Sequence, residues 1–139
     1  MRQQPRKTKY RKARKGRVPG GVGSGGLGHG EWGLRAAEGG RLSARQLEAA
    51  RRALRRRLQR RGRVWSCQFP WLPVSGKPAE VRRGKGKGAV AYWATRVVPG
   101  ARIFEVAGVS EARALSALHA AQQKLPVRTA VSRRRPPVV

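Results

Sequence analysis

Apolar residues along this chain fall into short periodic runs separated by glycine, proline and basic residues. From Ser43 onward the spacing is helical, with Leu47, Ala50, Leu54 and Leu58 recurring on one face. Ser43-Ala44-Arg45-Gln46 reads as a capping box, in which the serine hydroxyl and the glutamine side chain each satisfy a backbone N–H left free by the first turn. Gly62 marks the stop. Ser110 opens a second helical run, which carries Glu111 where the helix dipole favours an anion and packs through Leu115, Leu118, Ala121 and Leu125 before Pro126.

Alternation marks the strands. Trp32, Leu34 and Ala36 share one face of a short first strand within 31–36. Trp65, Cys67 and Phe69 alternate with Ser66 and Gln68, the period of a half-buried strand, and Cys67 on its apolar side reads as a core residue. Pro70, Pro73 and Pro78 make 70–78 a rigid, extended connection. Residues 89–98 read as a strand that Pro99-Gly100 turns into a second at 103–106, and 127–131 adds one more. The order strand, helix, several strands, helix, strand predicts an α+β fold with an antiparallel or mixed sheet and two helices.

The ends carry no such period. Residues 1–17 hold nine basic side chains, and residues 16–30 hold eight glycines, too permissive in backbone for regular structure. The chain of 139 residues therefore divides into a basic, Gly-rich extension at 1–30, one α+β domain at 31–131 and a basic, Pro-rich tail at 132–139. With Met1, Tyr10, Ala13 and Val18 as its apolar residues, the first twenty residues cannot form the amphipathic face of a transit peptide, and a retained tail is expected.

Charge decides the functional class. Thirty-three residues are Lys or Arg and six are acidic, all of them Glu, for a net charge of +27. Self-repulsion on that scale opposes compaction unless a polyanion neutralises it. Arginine outnumbers lysine 25 to 8, and its planar fork binds phosphate bidentately and stacks on bases, which favours folded RNA. One cysteine and two histidines cannot build a disulfide framework or a four-ligand zinc site, so no metal and no cofactor is expected. The longest uncharged stretches, 18–30 and 64–76, fall short of the ~18 apolar residues of a membrane span.

The charge is also patterned. Opposite the leucine stripe of the first helix stand Arg45, Arg51, Arg52, Arg55, Arg56, Arg57, Arg60 and Arg61, with Glu48 alone to alternate the sign. Like charges one turn apart cost an isolated helix about 0.2–0.5 kcal/mol per pair, so this face is expected to meet phosphate. The candidate RNA contacts are Arg41, Arg45, Arg51, Arg52, Arg55 and Arg56, with Arg6, Lys7, Lys9, Arg11, Lys12, Arg14, Lys15 and Arg17 of the extension. In Arg82-Arg83-Gly84-Lys85-Gly86-Lys87-Gly88 cations alternate with glycines, which lets a ribose-phosphate chain approach closely; the plain alternative is a solvated hairpin.

Two nucleotide motifs fail on context. Gly21-Val22-Gly23-Ser24-Gly25-Gly26 has dinucleotide-loop spacing but neither follows a strand nor opens a helix. The 84–88 loop lacks the spacing and hydroxyl of a triphosphate loop. Enzymatic chemistry lacks a centre as well: the glutamates are scattered, His119 lies among helical alanines, and no Gly-Gly pair is followed by the Gln of release-factor hydrolases.

Two stretches carry a resemblance. Gly40-Arg41-Leu42-Ser43-Ala44-Arg45-Gln46-Leu47-Glu48-Ala49-Ala50-Arg51-Arg52-Ala53 resembles the helix motif of the universal large-subunit ribosomal protein family called L-sixteen in bacteria. Lys77-Pro78 and Arg82 to Gly88, running into Tyr92-Trp93, resemble that family's loop. Pro5 to Lys12, Arg63-Val64-Trp65 and Lys124-Leu125-Pro126 also fall where the family has similar residues. The resemblance implies a fold of the α/β-hammerhead kind, embedded in large-subunit rRNA beside the peptidyl-transferase region. By position, the helix arginines become an rRNA-docking face and Arg82, Arg83, Gly84, Lys85, Gly86, Lys87 and Gly88 a loop towards tRNA. The implied partners are large-subunit rRNA, tRNA and neighbouring ribosomal proteins, with no membrane and no homo-oligomer; a free RNA-chaperone-like protein is the alternative. The chain departs from the family in the Gly-rich run at 20–30, in Arg83 where an apolar residue is common and in Trp71 where Asp is usual. Its extra Trp and Gly and its Arg-Pro tail suggest a mitochondrial ribosome, with the bacterial cytoplasm or a plastid as alternatives.

Overall fold

The computed structural model describes residues 2–23 and 26–134. Strand β1 (Trp32–Ala36) is followed by β2 (Gly40–Ser43), helix α1 (Ala44–Arg57), β3 (Arg63–Ser66), β4 (Leu72–Ser75), β5 (Val90–Val97), β6 (Arg102–Ala107), helix α2 (Glu111–Gln122) and β7 (Thr129–Arg133). The α+β class and the two helices match expectation. The strands form two sheets, one ordered β3-β6-β1-β7 and one ordered β2-β5-β4, and every pairing is antiparallel. The Pro99-Gly100 turn therefore joins two sheets instead of closing a hairpin, with Gly100 at φ +82°.

The larger core lies between the four-stranded sheet and the helix pair. Leu47, Ala50, Leu54 and Leu58 meet Ala114, Ala117, Leu118 and Ala121, and Leu34, Ile103, Phe104 and Val106 close the other side. The capping box is formed: the Gln46 N–H donates to Ser43 Oγ and the Ser43 N–H to Gln46 Oε1. The helix ends at Arg57, before Gly62, and Gln59 and Arg60 already have left-handed backbones. Ser110 sits at the α2 N-cap without a side-chain capping bond, and Leu115 and Leu125 are only half-buried.

Four features differ from expectation. Residues 72–75, expected within a connection, form β4; it is an edge strand, where Pro73 withholds no needed ladder donor. Residues 40–43 form β2, whose one fully buried residue, Leu42, is too little to register as a period. The strand expected through Phe69 ends at Ser66: the Cys67 N–H makes one last bond to the Ile103 carbonyl of β6 at 2.9 Å, and Cys67 and Phe69 are exposed, Cys67 with its thiol turned in towards Glu105. β7 runs on to Arg133, into the stretch expected to be tail, while 135–139 lie outside the described residues.

A smaller core of Leu72, Val74 and Ala94 lies against the three-stranded sheet and is completed by Ala13 of the basic extension.

Candidate nucleic-acid interface

The outer face of α1 separates its arginines into two groups. Arg45, Arg52, Arg55, Arg56 and Arg57 are exposed. Arg51 is committed inward: its Nε and Nη2 donate to the two carboxylate oxygens of Glu48 at 2.9 and 2.7 Å, and Arg52 Nε adds a third bond at 2.9 Å. The Arg51 bond holds the Glu48 carboxyl at about 2 against the cost of burial, and Glu48 in turn raises Arg51. Within the expected docking face, Arg55 and Arg56 are turned outward, whereas Arg51 neutralises a buried acid.

The basic extension is held by its backbone. Arg41 donates to the Gly16 carbonyl, Arg96 to the Arg14 and Lys15 carbonyls, and Lys87 to the Ala13 carbonyl at 2.5 Å. Arg96 also lies 5.5 Å from the centroid of the Trp71 ring, a cation–π contact. With its carbonyls engaged, the extension keeps Arg6, Lys7, Lys9, Arg11, Lys12, Arg14, Lys15 and Arg17 exposed. Arg41, expected among the RNA contacts, is instead partly buried and anchors this segment.

The 82–88 loop is exposed from Arg82 to Lys87 and half-buried at Gly88. Gly84 and Gly86 have φ near +95°, with Lys85 at +53° between them. Side chains resist this left-handed course, so the glycines are required by conformation, not by crowding. Lys77 donates to the Gly84 carbonyl at 2.5 Å. Lys87 turns back to the extension while Lys12 donates to the Lys87 carbonyl at 2.8 Å, a reciprocal clasp that leaves Arg82, Arg83 and Lys85 as the outward cations.

A site that sequence reasoning missed lies where the Gly-rich run ends. Glu105 on β6 is fully buried and accepts backbone N–H bonds from Gly28, His29 and Gly30 at 3.1, 2.6 and 2.8 Å, and an Arg102 bond at 3.1 Å. Burial would raise its pKa, yet the three backbone donors outweigh burial and hold it at about 2. A side chain at Gly30 would stand 2.7–2.8 Å from the Val106 backbone, so the strap can lie this low only as glycine. The Cys67 thiol is 3.6 Å from Glu105 Oε1, and desolvation, followed by that negative charge, pushes it up to about 11. No local pattern signals this nest, since donors and acceptor are 75–77 residues apart.

Among the described residues no group of three His, Cys, Asp or Glu side chains stands together as metal ligands would. Among the described residues no helix is long and apolar enough to cross a membrane.

An α+β core with outward cations and an exposed Gly/Lys loop defines a strongly basic α+β protein. More particularly, the chain belongs to the ribosomal protein L16p/L10e family, whose model matches residues 5–132. It is 57% identical over 129 residues to the large ribosomal subunit protein uL16 of Erythrobacter litoralis, covering 92% of this chain and 90% of that one. It is 56% identical to the uL16 of Caulobacter vibrioides, covering 91% and 90%, and 54% identical to that of Methylorubrum extorquens, covering 94% and 96%. The protein is a structural constituent of the large ribosomal subunit.

Proposed function

We propose that the chain docks on large-subunit rRNA through the outward arginines of α1 and the basic extension, and presents Arg82 to Gly88 towards tRNA. The observation that carries this reading is the set of exposed, unalternated arginines on α1, with the one nearby acid already consumed by Arg51 and Arg52. Phosphate contacts of this kind fix register and orientation, and sequence reading is left to RNA structure. The chain acts by positioning RNA and carries out no catalysis itself; neighbouring ribosomal proteins complete its surroundings, and it works as a single copy. Between the compartments considered, identity of 54–57% to bacterial relatives favours a bacterial ribosome over a mitochondrial one. The domain division into an RNA-facing extension and one α+β body is part of the same reading.

Replacing Arg55 and Arg56 by Gln tests the docking face. Affinity for rRNA fragments should fall, and the salt dependence of binding should flatten by about 0.7–0.9 per lost phosphate contact. An unchanged slope would mean that this face looks into solvent. Replacing Arg82, Arg83 and Lys85 by Gln, which keeps the Lys12–Lys87 clasp, tests the loop: subunits should assemble and bind tRNA poorly, whereas subunits that hold tRNA and translate normally would reduce the loop to a solvated hairpin.

A further inference from the structure

β5 is eight residues long, but β2 accompanies only its second half, from Ala94 to Val97. At Ser43 the chain leaves the sheet and enters α1, so residues 90–93 have a strand neighbour only on the β4 side. Beside this open edge lie three hollows, each sharing lining residues with the next, which we treat as one groove. One of about 390 Å³ lies at the start of α1, against Arg41, Arg45 and Tyr92. The next, of about 160 Å³, shares Arg45 and Tyr92 and adds Gln4 and Trp93. The third, of about 790 Å³, shares Gln4 and Trp93 and reaches Arg11 and Lys12 of the extension.

The lining has a consistent chemistry. Cations stand at both ends, no acidic side chain lines the groove among the described residues, and the small side chains of Ala89, just before β5, and of Ala91 and Ala94 within it line its floor. Tyr92, on the half of β5 that β2 does not accompany, is 44% exposed. Arg41 Nε, in the wall, is buried with no hydrogen-bond partner. A cationic track with an aromatic ring beside it is the arrangement that holds unpaired nucleotides, with phosphates on the cations and a base on the ring. A duplex keeps its bases stacked and offers the ring no free base face, and a neutral peptide strand added to the open edge would leave the cations unmatched.

We infer that this groove takes a short unpaired RNA segment, one base stacked on Tyr92 and the flanking phosphates held by Arg45, Arg11 and Lys12. The inference rests on the RNA-docking reading above and shares Arg45, Arg11 and Lys12 with it, whereas Arg55 and Arg56 line none of the three hollows and so tell the two readings apart.

The test is equilibrium binding of the full-length protein to a short oligoadenylate and, at the same salt, to a blunt RNA duplex. Tyr92→Ala should weaken oligoadenylate binding about tenfold, Tyr92→Phe should change it less than about twofold, and neither should alter duplex binding. Oligoadenylate binding that is unaffected by Tyr92→Ala, or equally lost in Tyr92→Phe, would overturn the stacking site. Arg55→Gln with Arg56→Gln should show the converse, weaker duplex binding and retained oligoadenylate binding. Normal duplex binding in that double variant would defeat the docking reading while leaving the groove standing. In assembled large subunits, ultraviolet crosslinking should yield a nucleotide adduct on the peptide that contains Tyr92. A crosslink from that position to a protein chain instead would show that a peptide strand occupies the open edge, and would overturn the proposal.

Discussion

The two sheets of this protein are held by different physics. The four-stranded sheet and the helix pair share a continuous apolar core, with Leu34, Leu47, Leu54, Phe104, Val106 and Leu118 all fully buried. The three-stranded sheet reaches that core through Leu42 and Val97 and otherwise buries Leu72, Val74 and Ala94 in a small separate cluster, and cations around it bond to backbone carbonyls of the extension. Apolar burial at about 25 cal/mol per Å² stabilises the first region with or without a partner. Exposed cation–carbonyl bonds contribute little in water, and the charge around them repels itself until polyanion arrives. The contrast implies a folded platform joined to a region that RNA completes.

The sharpest way to break the comparison is to truncate each core. Phe104→Ala should cost about 3–5 kcal/mol of stability, as large core deletions do. Val74→Ala in the smaller cluster should cost about 1 kcal/mol or less in the free protein, since that cluster has few neighbours to lose. Equal losses in a denaturant titration would mean that the two halves are equally self-supporting.

Glu105 sharpens the same contrast, because it pins the Gly-rich strap to the platform. Its carboxyl is held at about 2 against an ordinary 4.5. The folded state therefore favours the charged form, and the associated stability is present above about pH 4.5 and lost as pH falls towards 2, by at most about 3 kcal/mol. Glu105→Gln should remove most of that acid sensitivity and lower stability near neutral pH. It should also speed alkylation of Cys67, whose thiol the carboxylate helps hold at about 11. Unchanged thiol reactivity would mean that desolvation alone sets it.

Much of the platform was legible in the sequence. The capping box at Ser43 and Gln46, the leucine stripe of α1 and the shared face of Trp32, Leu34 and Ala36 on β1 are local patterns that survive folding. The division into two sheets was not, because partner choice between β5 and β6 is set by long-range packing after a turn that looks like a hairpin. β4 was hidden by Pro73, a residue that argues against a strand unless the strand is an edge. Of the site, the types and positions of the cations could be read, but not which of them turn inward. Arg41, Arg51 and Lys87 look like Arg55 in sequence, yet each has a carbonyl or carboxylate to satisfy.

That distinction sets a smaller expected effect. Arg51→Gln removes the bidentate partner of buried Glu48 and should cost about 1 kcal/mol, with Arg52 retaining part of the pairing. Arg55→Gln with Arg56→Gln relieves like-charge pairs and should leave stability within about 0.5 kcal/mol of the parent, or slightly raise it. Thermal unfolding of the two variants checks the order; a reversal would mean that Glu48 does not depend on Arg51.

The central claim, a self-supporting platform joined to an RNA-completed region, is tested most directly by amide hydrogen exchange on the full chain, free and in the assembled large subunit. In the free protein α1, α2, β1 and β6 should be protected while residues 2–17 and 76–89 exchange rapidly, and in the subunit both segments should become protected. Strong protection of 2–17 and 76–89 in the free protein, equal to that of β6, would contradict it.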